Sequence, residues 1–301
     1  MSLSVALGTV KLRNPIIAAS GAFGYAKEAS RYMELSRLGA VVPKTVTVSP
    51  RLGNKPPRIV ETTAGLLNAI GLDNDGLDEF IDVKIPYLRT IGCPIIASVA
   101  AKTLDECKIL GERLSEVEGL TAVELNISCP NVSGGVDFGT DPLLCERITR
   151  ELRENLSLPF SVKLTPNVTK IADIAKAAES GGADMISAIN TLYGLAVDWR
   201  TRKPRLGNGC GGFSGPAVKP VALRCVWQIA RAVKIPVIGI GGVSTVDDVF
   251  EFLVAGASAV QLGAANFYNP NAMIEILDAL PREMEKAGIT ELSEIIGTLE
   301  L

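Results

Sequence analysis

The cysteine at position 129 stands in a setting that could make its thiol reactive. Apolar and polar residues alternate from Val123 to Ser128, as they do along a strand, and Pro130 then ends regular pairing because proline has no N–H to donate. The following segment, 131–140, is rich in Gly, Ser and Asp and is typical of a loop. A lone cysteine is more often a small buried side chain. The strand end, the proline and the polar loop nevertheless favour a reactive thiol at Cys129.

The composition limits which groups can support such a thiol. The chain has no histidine, so acid–base chemistry must use Cys, Lys, Asp, Glu or Tyr. Its six cysteines never form a C-x-x-C pair, which argues against a zinc or iron–sulfur site, and we expect no metal on this chain. The net charge of −3 argues against nucleic acid or an anionic membrane as the main partner. Apolar runs are too short for a membrane span, and we expect a cytoplasmic protein.

Two lysines and three asparagines are the next candidates, because most of them follow apolar segments that read as strands. Lys44 and Lys163 come at such strand ends, and Asn126 and Asn190 do the same; Asn68 lies in a long connecting segment. A lysine at a strand end often simply reaches water. If these ends converge, however, they form a site for an anionic, planar ligand that makes hydrogen bonds.

Glycines mark two further strand ends. The run Gly239-Ile240-Gly241-Gly242-Val243 precedes a predicted helix start at Ser244-Thr245, and Gly263 ends the last strand. Such glycines can reflect tight turns alone. They also allow backbone N–H groups to approach an anion near a helix N-terminus, so this end of the site is predicted to bind a phosphate of a cofactor or substrate.

The elements that must position these residues alternate regularly along the chain. Eight apolar runs predict buried parallel strands, at 16–20, 40–46, 94–100, the segment before Cys129, 160–165, 185–190, 236–241 and 259–264. Helices are predicted near 26–38, 76–90, 103–118, 141–155 (N-cap Asp141), 169–180, 217–232, 245–255 and from about 270.

This alternation predicts an α/β fold, a single (β/α)8 TIM barrel over residues 1–301. An N-terminal hairpin is expected around Gly8, and long insertions after strands two and six at 47–75 and 191–215. A doubly wound sheet is the alternative, but no G-x-G-x-x-G follows the first strand. In a barrel the strand ends listed above meet at one mouth, where the active site lies.

Several longer motifs carry a resemblance: NPIIAASGAFG, PKTVT, NAIGLDN, ELNISCPN, SVKLTPN, AINT, GGFSGPAVKP, GIGGV and LGAANF. Together they resemble the class 1 dihydroorotate dehydrogenases, soluble FMN enzymes of pyrimidine biosynthesis. Ser-Cys-Pro-Asn at 128–131 and Asn-Ala-Ile-Gly-Leu at 68–72 are similar to the NAD-linked subclass, 1B, whereas the fumarate-linked subclass usually has Ser-Met in place of Ala-Ile. One departure is Ser98, where subclass 1B usually has Asn.

The resemblance implies a role for each matching position. Cys129 would be the base that removes the C5 proton of dihydroorotate while a hydride passes from C6 to the flavin. Lys163 would stabilise the negative charge of the reduced flavin. The implied FMN contacts are Ser20, Lys44, Thr45, Asn126, Lys163 and Ile189, with Gly215, Gly241, Gly242, Gly263 and Ala264 at the phosphate end. The implied substrate contacts are Lys44, Asn68, Ala69, Ile70, Gly71, Leu72, Asn126, Asn190 and Thr191.

The resemblance also implies a partner. The sequence has no dinucleotide fingerprint and no cysteines spaced for a cluster, so NAD-linked oxidation would need a second polypeptide. The resemblance implies that this second subunit carries FAD and a [2Fe–2S] cluster. This iron–sulfur flavoprotein subunit would join a barrel homodimer in a heterotetramer. Alternatives are a fumarate-linked enzyme, a flavin barrel similar to dihydropyrimidine dehydrogenase, and a flavin-free lyase or isomerase barrel that binds a phosphorylated substrate.

Overall fold

The computed structural model describes residues 1–127 and 138–300 of the chain, so Cys129 and most of the loop after it lie outside the described residues. The strands are β1 (Val5–Leu7), β2 (Val10–Leu12), β3 (Ile16–Ala18), β4 (Ala40–Val41), β5 (Ile59–Thr62), β6 (Gly65–Asn68), β7 (Ile96–Val99), β8 (Ala122–Asn126), β9 (Phe160–Leu164), β10 (Met185–Ala188), β11 (Leu192–Leu195), β12 (Val197–Asp198), β13 (Lys203–Pro204), β14 (Cys210–Ser214), β15 (Val237–Ile240) and β16 (Ala259–Leu262).

The α-helices are mostly those predicted. They are α1 (Leu77–Glu79), α2 (Ile85–Leu88), α3 (Leu104–Ser115), α4 (Pro142–Asn155), α5 (Ile171–Ser180), α6 (Lys219–Ala230), α7 (Val246–Val254), α8 (Ala265–Tyr268) and α9 (Ala272–Ala287). Short 3₁₀ turns cover Ala29–Arg31, Leu35–Arg37, Arg89–Ile91, Pro216–Val218 and Leu292–Glu294. None of the helices in the described ranges is long and apolar enough to cross a membrane.

Eight of the strands form one parallel sheet in the order β4-β3-β16-β15-β10-β9-β8-β7. Bridges from Val41 to Ile95 and from Val46 to Val99 join the two outer strands, so the sheet closes on itself. Strands β8 and β9 are buried along their whole length, as expected for parallel strands covered on both faces. The predicted (β/α)8 barrel is therefore confirmed.

Local sequence signals explain where several helices begin. The Asp141 side chain accepts a hydrogen bond from the Leu144 backbone N–H, and Pro142 takes the first helical position, as predicted. A reciprocal cap starts α7, where Thr245 accepts from the Asp248 N–H and the Asp248 side chain accepts from the Thr245 N–H. These caps determine where α4 and α7 begin, and so they help to position the loops at the C-terminal ends of the strands.

Three predicted elements are wrong in detail. The helix expected near 26–38 is two 3₁₀ turns separated by Glu34, whose extended backbone (ψ 92°) breaks any continuous helix. The strand expected at 40–46 ends at Val41, although the Val42 N–H still donates to the Ala18 carbonyl. Pro43 has no N–H for the ladder, and bridge pairing resumes at Val46. The helix expected near 76–90 contains a π-helical turn at Phe80–Lys84, just before Pro86 removes another backbone donor.

The two long insertions do not form separate loops. They join in one antiparallel sheet of four strands, in the order β11-β14-β6-β5, with Phe213 opposite Leu67. This insertion sheet has its own small core of Leu67, Ala69 and Leu206. The predicted N-terminal hairpin is confirmed as β1 and β2, and its Gly8 lies against the residue that precedes β10. The hairpin is thus at the end of the barrel opposite the strand ends that matter for function.

Candidate active site

The C-terminal ends of the barrel strands open into a cavity of about 320 Å³, within the size range of small-molecule sites. The insertion sheet forms part of its wall through Ile59, Leu66 and Phe213. The cavity brings together nearly all the residues predicted from the sequence: Ser20, Lys44, Thr45, Asn68, Ile70, Gly71, Leu72, Asn126, Lys163, Ile189, Asn190, Thr191, Gly215, Gly241, Gly242, Gly263 and Ala264.

Two predicted residues are not in that set. Ala69 is buried in the core of the insertion sheet, and its side chain does not line the cavity. Cys129 lies outside the described residues, so its role stays a prediction. Strand β8 nevertheless brings Asn126, three positions before Cys129, to the cavity wall.

Lys163 forms a buried polar floor together with two side chains that sequence reasoning missed. The Lys163 ammonium lies 3.2 Å from the Ser20 hydroxyl and 3.4 Å from Oε1 of Glu124. The other Glu124 oxygen accepts a hydrogen bond of 2.7 Å from Nε2 of Gln261. The Glu124 side chain is completely buried, so its negative charge depends on these partners.

A signal in the sequence could have found Glu124 and Gln261. Side chains two positions apart on a strand point to the same face, and Glu124 precedes Asn126 by two while Gln261 precedes Gly263 by two. Each is a polar residue inside an otherwise apolar strand, and each lies two positions before a predicted site residue.

Three asparagines contribute amide groups at different heights of the cavity. Nδ2 of Asn190 lies 3.5 Å from Oδ1 of Asn126, and Oδ1 of Asn190 accepts from the Thr191 backbone N–H at 2.9 Å. Nδ2 of Asn68 donates to the Gly212 carbonyl at 3.3 Å, which ties the first insertion to the second. Amides supply donors and acceptors together, which suits the edge of a pyrimidine-like ring.

The carbonyl groups of the segment 68–72 accept hydrogen bonds from residues that do not line the cavity. Asn54 donates its backbone N–H to the Ile70 carbonyl at 2.9 Å and its side-chain amide to the Ala69 carbonyl at 3.1 Å. Asn74 donates to the Leu72 carbonyl at 2.7 Å. The N–H groups of residues 70–72 have no hydrogen-bond acceptor among the described residues, which makes them available to an anionic or carbonyl-bearing ligand.

The glycine-rich end has two kinds of glycine. A Cβ added at Gly241 would lie 2.7 Å from the Ala222 side chain, and one at Gly242 would lie 2.8 Å from the Lys219 backbone nitrogen. Both have positive φ, so the fold itself requires glycine there. Gly263 differs because a Cβ would meet nothing closer than 3.6 Å (Ala19), and φ there is not positive. Its missing side chain leaves space within the cavity wall.

The start of α7 is already occupied by a carboxylate, which corrects the prediction for Ser244-Thr245. Asp248 accepts from the backbone N–H groups of Ser244 at 2.7 Å and Thr245 at 2.8 Å. Burial alone raises the pKa of Asp248, but the hydrogen bonds from Lys219, Ser244 and Thr245 outweigh it and hold the pKa below its usual value. The amides at this position are therefore not available to a ligand.

Other backbone N–H groups remain at this end, among them those of Gly242, Val243, Ala264 and Ala265. All four residues line the cavity, and none of these groups has an acceptor among the described residues. A cluster of unpaired backbone donors beside glycines fits a phosphate group. The predicted phosphate end of the cavity is thus chemically consistent with the loops after β15 and β16.

The remaining cysteines are unsuitable as bases. Burial raises the pKa of Cys93, Cys107 and Cys145 to about 12, and it also raises that of Cys225. Cys210 is half-buried on β14. None of these cysteines lines the cavity, so Cys129 stays the candidate base.

A polar floor, amide-bearing walls and a glycine-rich end make the C-terminal strand ends of this (β/α)8 barrel chemically suited to an anionic, phosphate-bearing ligand. The family model for dihydroorotate dehydrogenase matches residues 2–284. The chain belongs to the dihydroorotate dehydrogenase family, which confirms the resemblance carried by its motifs.

Close relatives bear one name, "Dihydroorotate dehydrogenase B (NAD(+)), catalytic subunit". The protein of that name from Geobacter sulfurreducens is 51% identical over 99% of this chain and 98% of its own length. The one from Alkaliphilus metalliredigens is 50% identical over 99% of both chains, and the one from Geotalea uraniireducens is 49% identical over 99% of this chain and 98% of its own.

The fold has a counterpart among solved structures. The crystal structure of DHODH from Eimeria tenella in complex with ferulenol superimposes with a TM-score of 0.81 and covers 98% of this chain and 88% of that one. Its sequence is 22% identical, so this likeness supports the fold alone.

Proposed function

We propose that this chain is the catalytic subunit of an NAD-linked dihydroorotate dehydrogenase, which oxidises (S)-dihydroorotate to orotate in pyrimidine biosynthesis with FMN as cofactor. The carrying observation is the cavity, which places Lys44, Lys163 and three asparagines at one mouth together with an open glycine-lined end. This arrangement occurs in a chain about half identical to proteins of that name.

The residues present fit FMN. The unpaired N–H groups of Gly242, Val243, Ala264 and Ala265 suit its phosphate, and Gly263 leaves room beside it. Gly215 and Gly241 would approach the phosphate through their backbone. Ser20, Lys44, Thr45, Asn126, Lys163 and Ile189 would contact the rest of the cofactor. Bound FMN would supply the acceptor for the hydride that leaves C6 of dihydroorotate. Lys163 would place a positive charge where negative charge accumulates during that transfer.

The substrate is an anionic pyrimidine, and the other wall suits it. Lys44 offers a positive charge to its carboxylate, while Asn68, Asn126 and Asn190 offer donors and acceptors to its amide groups. The N–H groups of residues 70–72 add donors from the backbone, and Thr191 would add its hydroxyl. These contacts would orient C5 and C6 and restrict the substrate to one pose.

Cys129 would take the proton from C5. A thiol has an ordinary pKa near 8.5, so a useful fraction is deprotonated around neutral to alkaline pH. As the chain has no histidine and the described cysteines do not line the cavity, Cys129 is the best-supported base. The polar loop after it would exclude water during transfer.

The test is anaerobic reduction of the FMN-loaded chain by dihydroorotate. The loss of flavin absorbance measures the rate of this reduction. Cys129→Ser should retain FMN and slow reduction by at least ~100-fold near pH 7, because general bases contribute about 10²–10⁴. Activity should return only at high pH, since serine ionises less readily. The matched control is Cys210→Ser, which changes a cysteine outside the cavity and should reduce at the normal rate. Normal reduction in Cys129→Ser would rule out the assigned base.

We further propose that a second subunit, carrying FAD and a [2Fe–2S] cluster, passes electrons from this chain to NAD. The relatives are named catalytic subunits, which supports a partner. The assembly would be a barrel homodimer with two copies of that subunit, and its cytoplasmic location stays a prediction.

The isolated chain should reduce artificial acceptors with dihydroorotate and reduce NAD poorly until the partner is added. Initial rates with each acceptor, before and after addition of the partner, measure this difference. Rapid NAD reduction by the isolated chain would contradict the need for a partner. Rapid fumarate turnover would instead favour a fumarate-linked enzyme.

A further inference from the structure

The buried carboxylate of Glu124 has no assigned role, although it contacts a residue of the cavity floor. Its side chain is 0% exposed, and Lys163 beside it is 6% exposed. Oε1 of Glu124 lies 3.4 Å from the Lys163 ammonium and 3.5 Å from the Ser20 hydroxyl, while Oε2 accepts from Gln261 at 2.7 Å. Three side chains thus meet around one carboxylate.

These contacts cross the barrel interior. Three strands separate β16, which carries Gln261, from β8, which carries Glu124, and three also separate β3 from β9. In a closed barrel of eight strands such pairs stand opposite each other. Ser20 and Gln261 therefore approach Glu124 and Lys163 from the facing wall, and together they fix where the lysine head can lie.

Glu124 and Lys163 are related by strand register. Lys163 is opposite Asn126 and Ser161 is opposite Glu124, so the two charged residues are diagonal neighbours on the interior face. The Lys163 ammonium has three N–H groups, and the described residues accept two of them, through Ser20 and Glu124. A third is left for a ligand in the cavity that Lys163 lines.

A lysine in this position needs such support. A buried ammonium needs hydrogen-bond acceptors close by, and Ser20 and Glu124 supply them. A carboxylate is in turn costly to bury unless it has a cation and further hydrogen bonds, which Lys163, Ser20 and Gln261 provide.

We infer that Glu124 is a positioning residue, which with Gln261 holds the Lys163 ammonium in place at the floor of the cavity. This inference rests on the proposed function, because its consequence is a change in the reduction potential of bound FMN. Removing the Glu124 charge releases the Lys163 ammonium from this position, and the reduced, anionic flavin then loses stabilisation relative to the oxidised one.

The test is the midpoint potential of FMN bound to the full chain, measured by equilibration with a reference dye, together with FMN affinity of the apoprotein. Glu124→Gln keeps the side-chain shape and should lower the preference for reduced over oxidised FMN about tenfold. For a two-electron couple this equals a potential lower by about 30 mV. Gln261→Met removes one support without removing a charge and should shift the potential in the same direction, by less.

Two comparisons separate positioning from a merely structural role. In a Lys163→Met background, Glu124→Gln should cause no further shift, because Glu124 acts through the lysine. Ser187→Ala removes another buried interior hydrogen bond, 3.1 Å to Ser161, and should leave the potential unchanged.

The outcomes are distinct. An unchanged or higher potential in Glu124→Gln overturns the inference, as does an equal shift in the Lys163→Met background. If Glu124→Gln fails to fold, the potential of Gln261→Met is the test. An unchanged potential in Gln261→Met then overturns the inference. A wild-type chain that binds no FMN would refute the proposed function instead, before any variant is compared.

Discussion

The ends of β8 and β9 and the ends of β15 and β16 line the same cavity, but they do so by different means. The β8–β9 end presents side chains, Asn126 and Lys163, supported by a buried carboxylate beneath them. The β15–β16 end presents backbone, because Gly241, Gly242 and Gly263 have no side chains to present.

This contrast shows that residues at the ends of two strands can be required for different reasons, one for ligand contacts and the other for packing. At β8–β9 the residue type is explained by the charge and hydrogen bonds it offers. At β15 the glycines are explained by packing, since any Cβ would enter Ala222 or Lys219. Only Gly263 leaves space that a ligand can use. Substitutions at the two ends should therefore fail in different ways.

The largest effect is expected at the charged end. Lys163→Ala leaves the Glu124 carboxylate buried without a cation, which should lower the free energy of unfolding by about 3–5 kcal/mol. Urea denaturation of the apoprotein measures this loss, and adding Glu124→Gln should recover part of it. A loss below about 1 kcal/mol would show that the two ends do not differ in this way.

A smaller loss is expected at Gly242. An alanine there adopts a positive φ of 78° and places its Cβ 2.8 Å from the Lys219 backbone, so strain and overpacking together should cost about 2–4 kcal/mol. The same denaturation experiment without FMN measures this loss. Unchanged stability of the apoprotein would mean that Gly242 is required by the ligand alone.

The smallest change in stability is expected at Gly263. Gly263→Ala meets only ordinary contacts with Ala19 and Ala22, and its φ is compatible with alanine, so the unfolding free energy should stay within about 1 kcal/mol of wild type. FMN affinity should fall about tenfold, because the methyl group takes space in the cavity wall. Fluorescence titration of the apoprotein with FMN measures this. Gly288→Ala, outside the cavity lining and with a positive φ of 70°, tests whether backbone strain alone changes the affinity. Unchanged affinity would remove Gly263 from the proposed FMN site.

Much of the fold follows from local sequence pattern. Strands β7, β9, β15 and β16 lie where apolar runs predict them, and α4 starts at the predicted cap. The errors fall where local signals conflict with tertiary packing. The first connection buries Ala29, Met33, Leu35 and Leu38, a spacing that no continuous helix maintains, so short turns replace the predicted helix.

The candidate site could be predicted to a similar extent, and for a related reason. In a parallel barrel all C-terminal strand ends meet at one mouth, so reading the residue at each strand end is enough to collect Lys44, Asn126, Lys163 and Gly263. Ala69 was predicted to contact the substrate through its backbone, which stays a prediction; its side chain lies in the core of the insertion sheet, which no barrel rule describes.

By itself, the sequence determined which residues stand at the strand ends, where glycine replaces a side chain, and which family the motifs resemble. The tertiary structure alone decided which of them meet across the barrel. Glu124 and Gln261 are 137 positions apart and are joined only because the sheet closes. The two insertions likewise become one sheet only through pairing between distant segments. The local sequence period predicts which face of the sheet a side chain points to. It does not predict which side chain it contacts on the opposite wall, because that contact depends on barrel closure and strand register.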